Sequence, residues 1–258
     1  MNYLEYILLG AVQGLTEFFP ISSSGHLLLL RKLFGIEEGG LLIEVALHLG
    51  TLLSIVFFWK KFIYEKIQET FKGDFDYLSV IIIGTIPAGI VGLLFEDKIK
   101  EYFFDISSMN YLIVCYIVLT IIIFSTKYFI KNKNSEITYF YAFLIGIAQA
   151  MAILPGLSRS GLTIFMALLL GLSFKKSMQF SFMLAIPILI FSSIYLIFNN
   201  MELLLDMSFL IELLVGILSS FLIGYSILFM LEKIINKGKF WYFSFYCLFI
   251  SLVLFYAS

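Results

Sequence analysis

The segment Pro155-Gly156-Leu157-Ser158-Arg159-Ser160-Gly161-Leu162-Thr163 places an arginine and three hydroxyls inside an otherwise apolar run. A guanidinium at membrane depth costs at least about 2.5 kcal/mol, so it normally faces a partner or an aqueous cavity. Pro155 and Gly156 break the helix, which leaves backbone N–H groups free beside Ser158, Ser160 and Thr163. Such a collection of donors suits an oxyanion. A second polar run lies near the start of the chain. Gln13 and Glu17 are four residues apart and share one helical face. Pro20 then ends the helix, and Ile21-Ser22-Ser23-Ser24-Gly25-His26 forms a turn into a short returning helix over Leu27 to Leu33. Carboxylate, hydroxyl and imidazole are the side chains of acid–base and nucleophilic chemistry.

Each of these residues also has a plainer reading. Ser22, Ser24 and Gly161 suit packing or a kink, and Arg159 suits a structural ion pair with Glu17. That pair would leave His26 and the clustered hydroxyls unexplained, which favours a functional His26. His48, in Ala46-Leu47-His48-Leu49-Gly50, has no polar sequence neighbours and reads as structural or cavity-lining. Glu44 reads as a boundary residue open to solvent. The stretch 60–76 mixes lysines with Glu65, Glu69, Asp74 and Asp76 and reads as a solvated cytoplasmic loop.

The elements that must hold these residues belong to a membrane. Of 258 residues, 61% are apolar and 14% charged, and the mean hydropathy is +1.00. These values describe a polytopic membrane protein and exclude a soluble core. A net charge of −1, with no basic tail or stripe, gives no support for a nucleic-acid partner. Met1-Asn2-Tyr3-Leu4-Glu5 lacks the basic start of a signal peptide, so the first apolar segment is expected to be retained. Cys115 and Cys247 lie in separate apolar runs and read as small buried hydrophobes.

The chain repeats itself at an offset of 136 residues: Gly10 matches Gly146, Gln13 matches Gln149, Ser22 matches Ser158, Ser24 matches Ser160 and Gly25 matches Gly161. Apolar runs at 41–59, 78–95 and 110–126 are echoed at 178–198, 208–231 and 240–257. The expected fold is therefore an all-α polytopic membrane protein with an inverted-topology repeat. Each half would hold a re-entrant helix hairpin (about 3–34 and 139–172) plus three transmembrane helices. A single membrane domain is expected, with repeat one at about 1–130 and repeat two at about 137–258.

Charge decides how the hairpins enter. If both fold back, one side receives twelve lysines: Lys60, Lys61, Lys66, Lys72, Lys127, Lys131, Lys133, Lys175, Lys176, Lys233, Lys237 and Lys239. The other receives four cations, Arg31, Lys32, Lys98 and Lys100. If both hairpins spanned, the split would be nine against seven. The positive-inside rule selects re-entrant hairpins and puts both termini outside. The two tips can then meet inside the bilayer. Two helix N-termini would converge there, a natural anion site.

Gln13-Gly14-Leu15-Thr16-Glu17-Phe18-Phe19-Pro20-Ile21-Ser22-Ser23-Ser24-Gly25-His26 and Pro155-to-Thr163 resemble the two signatures of bacterial undecaprenyl-diphosphate phosphatases of the bacitracin-resistance type. The resemblance covers essentially the whole chain. It implies a cytoplasmic (inner) membrane enzyme whose site opens to the outer face. Its substrate would be the C55 isoprenyl diphosphate lipid held among bilayer lipids, for which bacitracin competes. Hydrolysis would recycle the lipid carrier for peptidoglycan. Carried over by position, the resemblance makes Glu17, Ser23, His26 and Arg159 catalytic. Gln13, Ser22, Ser24, Ser158, Ser160 and Thr163 would bind substrate. It also implies a divalent cation, Mg2+ ahead of Ca2+. Gln13 is an amide, so a two-carboxylate metal site is absent; the ion would bridge Glu17 and the diphosphate or arrive bound to substrate. Ser23, His26 or water remain open as the nucleophile. A lipid-phosphate transporter or flippase is the competing class, because inverted repeats with midplane half-helices also build transporters. A passive anion channel fits poorly with Glu17 at the same tip.

Overall fold

With apolar side chains along nearly every segment, the chain can satisfy its backbone in lipid only as helices. A computed structural model describes residues 3–36, 40–103, 110–128 and 136–257, with no strand among them. The helices are α1 (Tyr3–Thr16), α2 (Ser23–Phe34), α3 (Gly40–Phe58), α4 (Lys60–Phe71), α5 (Asp76–Phe103) and α6 (Asn110–Ser125). They continue as α7 (Tyr139–Met151), α8 (Arg159–Leu169), α9 (Phe174–Asn199), α10 (Met201–Leu204), α11 (Met207–Asn236) and α12 (Phe243–Ala257). Both broken pairs predicted from sequence are present, α1–α2 and α7–α8. In α5, α9 and α11 the described apolar stretches are long enough to cross a membrane. Among the described residues α6 and α12 are apolar helices of 16 and 15 residues.

The stretch 60–76 is not an irregular loop. Helical hydrogen bonding runs on through Trp59, from Trp59 N to Ile55 O and from Ile63 N to Trp59 O, and α4 leaves α3 at a bend of 77°. Lys66 pairs with Glu69 at 2.6 Å and lies over the rings of Phe62 and Tyr77. The opposite face exposes Tyr64, Ile67 and Phe71, the composition of a helix lying along a bilayer surface. Of the lysines used in the charge comparison, Lys131 and Lys133 lie outside the described residues, as do the side chains of Lys98 and Lys100.

Helix pairing follows the twofold pattern of an inverted repeat. α3 packs on α9 and α6 on α12, each pair joining helices that hold the same place in the two halves. The first helix of each hairpin instead crosses over, α1 onto α11 and α7 onto α5. Glycine permits this close approach. A Cβ on Gly10 would run into the Gly216 backbone and sit 3.0 Å from Ser219 Cβ; one on Gly146 would run into the Gly84 backbone and sit 3.0 Å from Pro87 Cγ. Small residues at such crossings let dispersion contacts hold helices together where lipid supplies no hydrophobic drive.

Gly146→Val is therefore expected to destabilise the protein by about 2 kcal/mol or more through overpacking against backbone that cannot retreat. Thermal unfolding in detergent checks this. Lipid-facing Ile121→Val, at a residue 63% exposed, should leave the midpoint within a degree or two.

Candidate active site

The two tips are built alike. Ser22 and Ser158 cap their returning helices, each hydroxyl accepting from the backbone N–H three residues on, Gly25 at 3.4 Å and Gly161 at 3.1 Å. Ser22 holds φ 64°, the one positive-φ non-glycine among the described residues. Residues kept in that region by their surroundings cluster at functional sites. The surroundings here are the other tip: Ser22 Oγ also accepts from Gly156 N at 3.1 Å. Ser160 Oγ reaches the carbonyls of Glu17 and Phe19, both at 3.3 Å. Arg159 Nη2 closes an ion pair onto Glu17 Oε1.

Glu17 is the hub of the site. Its other oxygen, Oε2, accepts from Ser23 Oγ at 2.6 Å and from Gln13 Nε2 at 3.1 Å, and His48 Nε2 stands 3.4 Å away. Glu17, Ser23, His48 and Arg159 adjoin a cavity of about 350 Å³ whose polar lining also includes Ser22, Ser24, Glu44, Gln149 and Ser158. Arg159 Nη1 is buried and has no partner. A carboxylate holding a hydroxyl, beside a guanidinium with an idle donor, can bind an oxyanion and take a proton from that hydroxyl. The ion pair anticipated as the plainer reading of Arg159 is present, and it occupies only one end of the fork.

Three predicted site residues point elsewhere. His26 Nδ1 lies 2.7 Å from the Ser22 carbonyl and Nε2 lies 2.8 Å from Tyr246 Oη, with the ring stacked on Tyr246. A carbonyl only accepts, so Nδ1 carries a proton and the ring braces the tip against α12. Ser160 and Thr163 are fully buried and do not line the cavity. Thr163 Oγ1 donates to the Arg159 carbonyl at 2.7 Å and meets Ser181 Oγ at 2.6 Å. Both residues steady the tip from behind the cavity wall. Gln13 is also buried, acting on the site through Glu17.

His48 lines the cavity, one of its two expected readings, but the second layer it belongs to was not anticipated. Glu44 is buried, not solvated, and pairs with equally buried Arg31 at 2.8 Å. His48 Nδ1 donates to the Glu44 carbonyl at 2.7 Å, which aims Nε2 at Glu17. The contact with Glu17 is attractive when the ring carries its second proton. The available signal was the i, i+4 spacing of Glu44 and His48 inside an apolar run, which puts both on one helix face.

A resident cation does not fit at Glu17. Both carboxylate oxygens already face donors from Arg159, Ser23, Gln13 and His48. Among the described residues no group of three His, Cys, Asp or Glu side chains could hold a metal.

The chain matches the family described as bacitracin resistance protein BacA over residues 6–253. It is similar to an undecaprenyl-diphosphatase of Methanococcus vannielii, 38% identical over 98% of this chain and 100% of the relative. A protein of that name from Halothermothrix orenii is 33% identical over 98% of this chain and 97% of its own length. Another, from Bacteroides thetaiotaomicron, is 38% identical over 96% of each.

Removing the His48 contact with Glu17 is expected to lower turnover by about tenfold in His48→Leu without loss of folding, the scale of one polar contact. Steady-state kinetics with a melting curve checks it. Unchanged kcat would mean that His48 only packs.

Proposed function

We propose that this chain, which belongs to the bacitracin resistance protein BacA family, hydrolyses undecaprenyl diphosphate to undecaprenyl phosphate and inorganic phosphate at the Glu17–Ser23–Arg159 site. The observation that carries this reading is the 2.6 Å hydrogen bond from Ser23 to Glu17 at a cavity edged by Arg159. Ser23 Oγ attacks the terminal phosphorus as its proton passes to Glu17 Oε2 along that hydrogen bond. The lipid monophosphate leaves without needing a proton. Water then attacks the phosphoserine, Glu17 gives its proton back to the departing Ser23 oxygen, and the water's oxygen and hydrogens leave with the inorganic phosphate. Arg159 Nη1, the Ser158 hydroxyl and the N-terminus of α8 supply the positive field for the equatorial oxygens. His26 contributes by holding the Ser22 carbonyl and hence the Ser23 turn.

The lipid half of the substrate has its own wall. Ala88, Gly89, Gly92 and Leu93 of α5 and Leu189 and Phe191 of α9 are among the residues that give the cavity its apolar lining. A Cβ added at Gly89 or Gly92 would meet nothing within 4 Å, so the space beside α5 is open. An isoprenyl chain matches this apolar surface. The lining comes from the early part of α3 and the later parts of α5 and α9, the side that receives few lysines in the charge comparison. That supports an outer-facing site in a cytoplasmic membrane with both termini outside. Hydrolysis there would return the lipid carrier to envelope polymer synthesis and consume the diphosphate that bacitracin sequesters. Because both oxygens of Glu17 already face donors, a divalent cation would come to the site with the diphosphate and not on this carboxylate.

Purified protein in detergent should release phosphate from C55 isoprenyl diphosphate. Transport alone would yield none, since a micelle offers no second compartment. Ser23→Ala should cut kcat by about a thousandfold or more. A variant retaining near-normal turnover would pass the nucleophile's role to water.

For the cation, titration calorimetry should detect no Mg2+ binding to lipid-free protein while chelator still abolishes turnover. Binding to the lipid-free chain at micromolar affinity would return the ion to the protein.

A further inference from the structure

The two hairpins carry matching glutamines with unequal surroundings. Gln13 Nε2 donates to Glu17, four residues on. Gln149 is its counterpart at the offset of 136, and four residues on from it stands Ile153, where the first hairpin has Glu17. Gln149 is 2% exposed, lines the cavity, and neither Nε2 nor Oε1 has a hydrogen-bond partner. A dehydrated amide with both ends idle is expensive to bury, and leucine would pack there without that penalty. Arg159 Nη1, on the same cavity, is idle in the same way.

We propose that Gln149 is a substrate-contacting residue that donates from its amide to a non-bridging oxygen of the diphosphate, acting with Arg159 Nη1. The identity of the ligand rests on the hydrolase reading above; the need for a polar ligand rests on the idle amide. Glu17 and Ser23 lie on the first hairpin and Gln149 and Arg159 on the second, so a diphosphate in the cavity is gripped from both tips. The Oε1 end remains to accept from water beside the phosphoryl group. Because both ends are idle, the amide can turn whichever atom a ligand requires.

The experiment measures direct binding of a methylene-bridged isoprenyl diphosphate, which cannot be hydrolysed, together with turnover of the natural diphosphate and thermal unfolding. Gln149→Leu is expected to melt at the wild-type temperature or above while binding about tenfold more weakly, the loss of one hydrogen bond to a charged oxygen. Gln149→Glu should bind more weakly still, since it sets a carboxylate against the diphosphate. Gln149→Leu that folds and binds as tightly as wild type overturns the proposal. If Gln149→Leu does not fold, Gln149→Asn decides, because it keeps the amide but withdraws it by one methylene; unchanged affinity there overturns the proposal. Wild-type protein that binds the analogue but never releases phosphate removes the hydrolase reading and leaves the Gln149 contact standing.

Discussion

The ion pair between Glu17 and Arg159 is the interaction on which the rest of this structure depends. Each charge would be costly alone at the centre of a bilayer, and each sits on a different hairpin. Together they make the meeting of the tips a condition of burial, since losing one partner of a buried pair costs about 3–5 kcal/mol. The neighbouring hydrogen bonds serve the same junction. Ser160 reaches the carbonyls of Glu17 and Phe19, and Gly156 donates to Ser22. Those carbonyls and N–H groups are free because Pro20 and the Pro155-Gly156 pair stop both helices inside the membrane. The breaks create unsatisfied backbone, and the facing tip satisfies it.

A near-symmetric scaffold carries asymmetric chemistry. The serine caps, the glycine crossings and the helix pairings recur in both halves. The reactive positions do not. Ser23 corresponds to Arg159, Glu17 to Ile153 and His26 to Leu162 at the offset of 136. One hairpin thus brings the hydroxyl and the carboxylate, and the other brings the guanidinium. A phosphoryl group needs both a nucleophile and a positive clamp, and two identical tips would have supplied only one of them.

Much of this was legible in order of residues alone. The broken pairs fall within a few residues of their predicted ranges because proline, glycine and capping serine act locally. The convergence of Glu17, Ser23 and Arg159 followed from the repeat and from charge asymmetry. Other placements turned on direction more than on position. Ser160 and Thr163 sit one and four residues from Arg159, yet helical rotation carries them into the protein interior. His26, three residues from Ser23, turns to Tyr246 on a helix 220 positions away. Residues 60–71 read as a loop because their lysines conceal an amphipathic helix that turns by 77° from the span before it.

The sequence by itself determined what must lie in the membrane, where its helices break, and that an arginine and a glutamate at two such breaks need each other. Those conclusions rest on desolvation and backbone geometry, which act on each residue or its near neighbours. Only the tertiary structure decided which side chains share the cavity. It placed His48 against Glu17, buried Glu44 with Arg31, and left Gln149 idle on the cavity wall. Those outcomes depend on the rotation and crossing of helices far apart in the chain. A hydrogen bond is won or lost over about an ångström, finer than spacing along one strand of sequence can resolve.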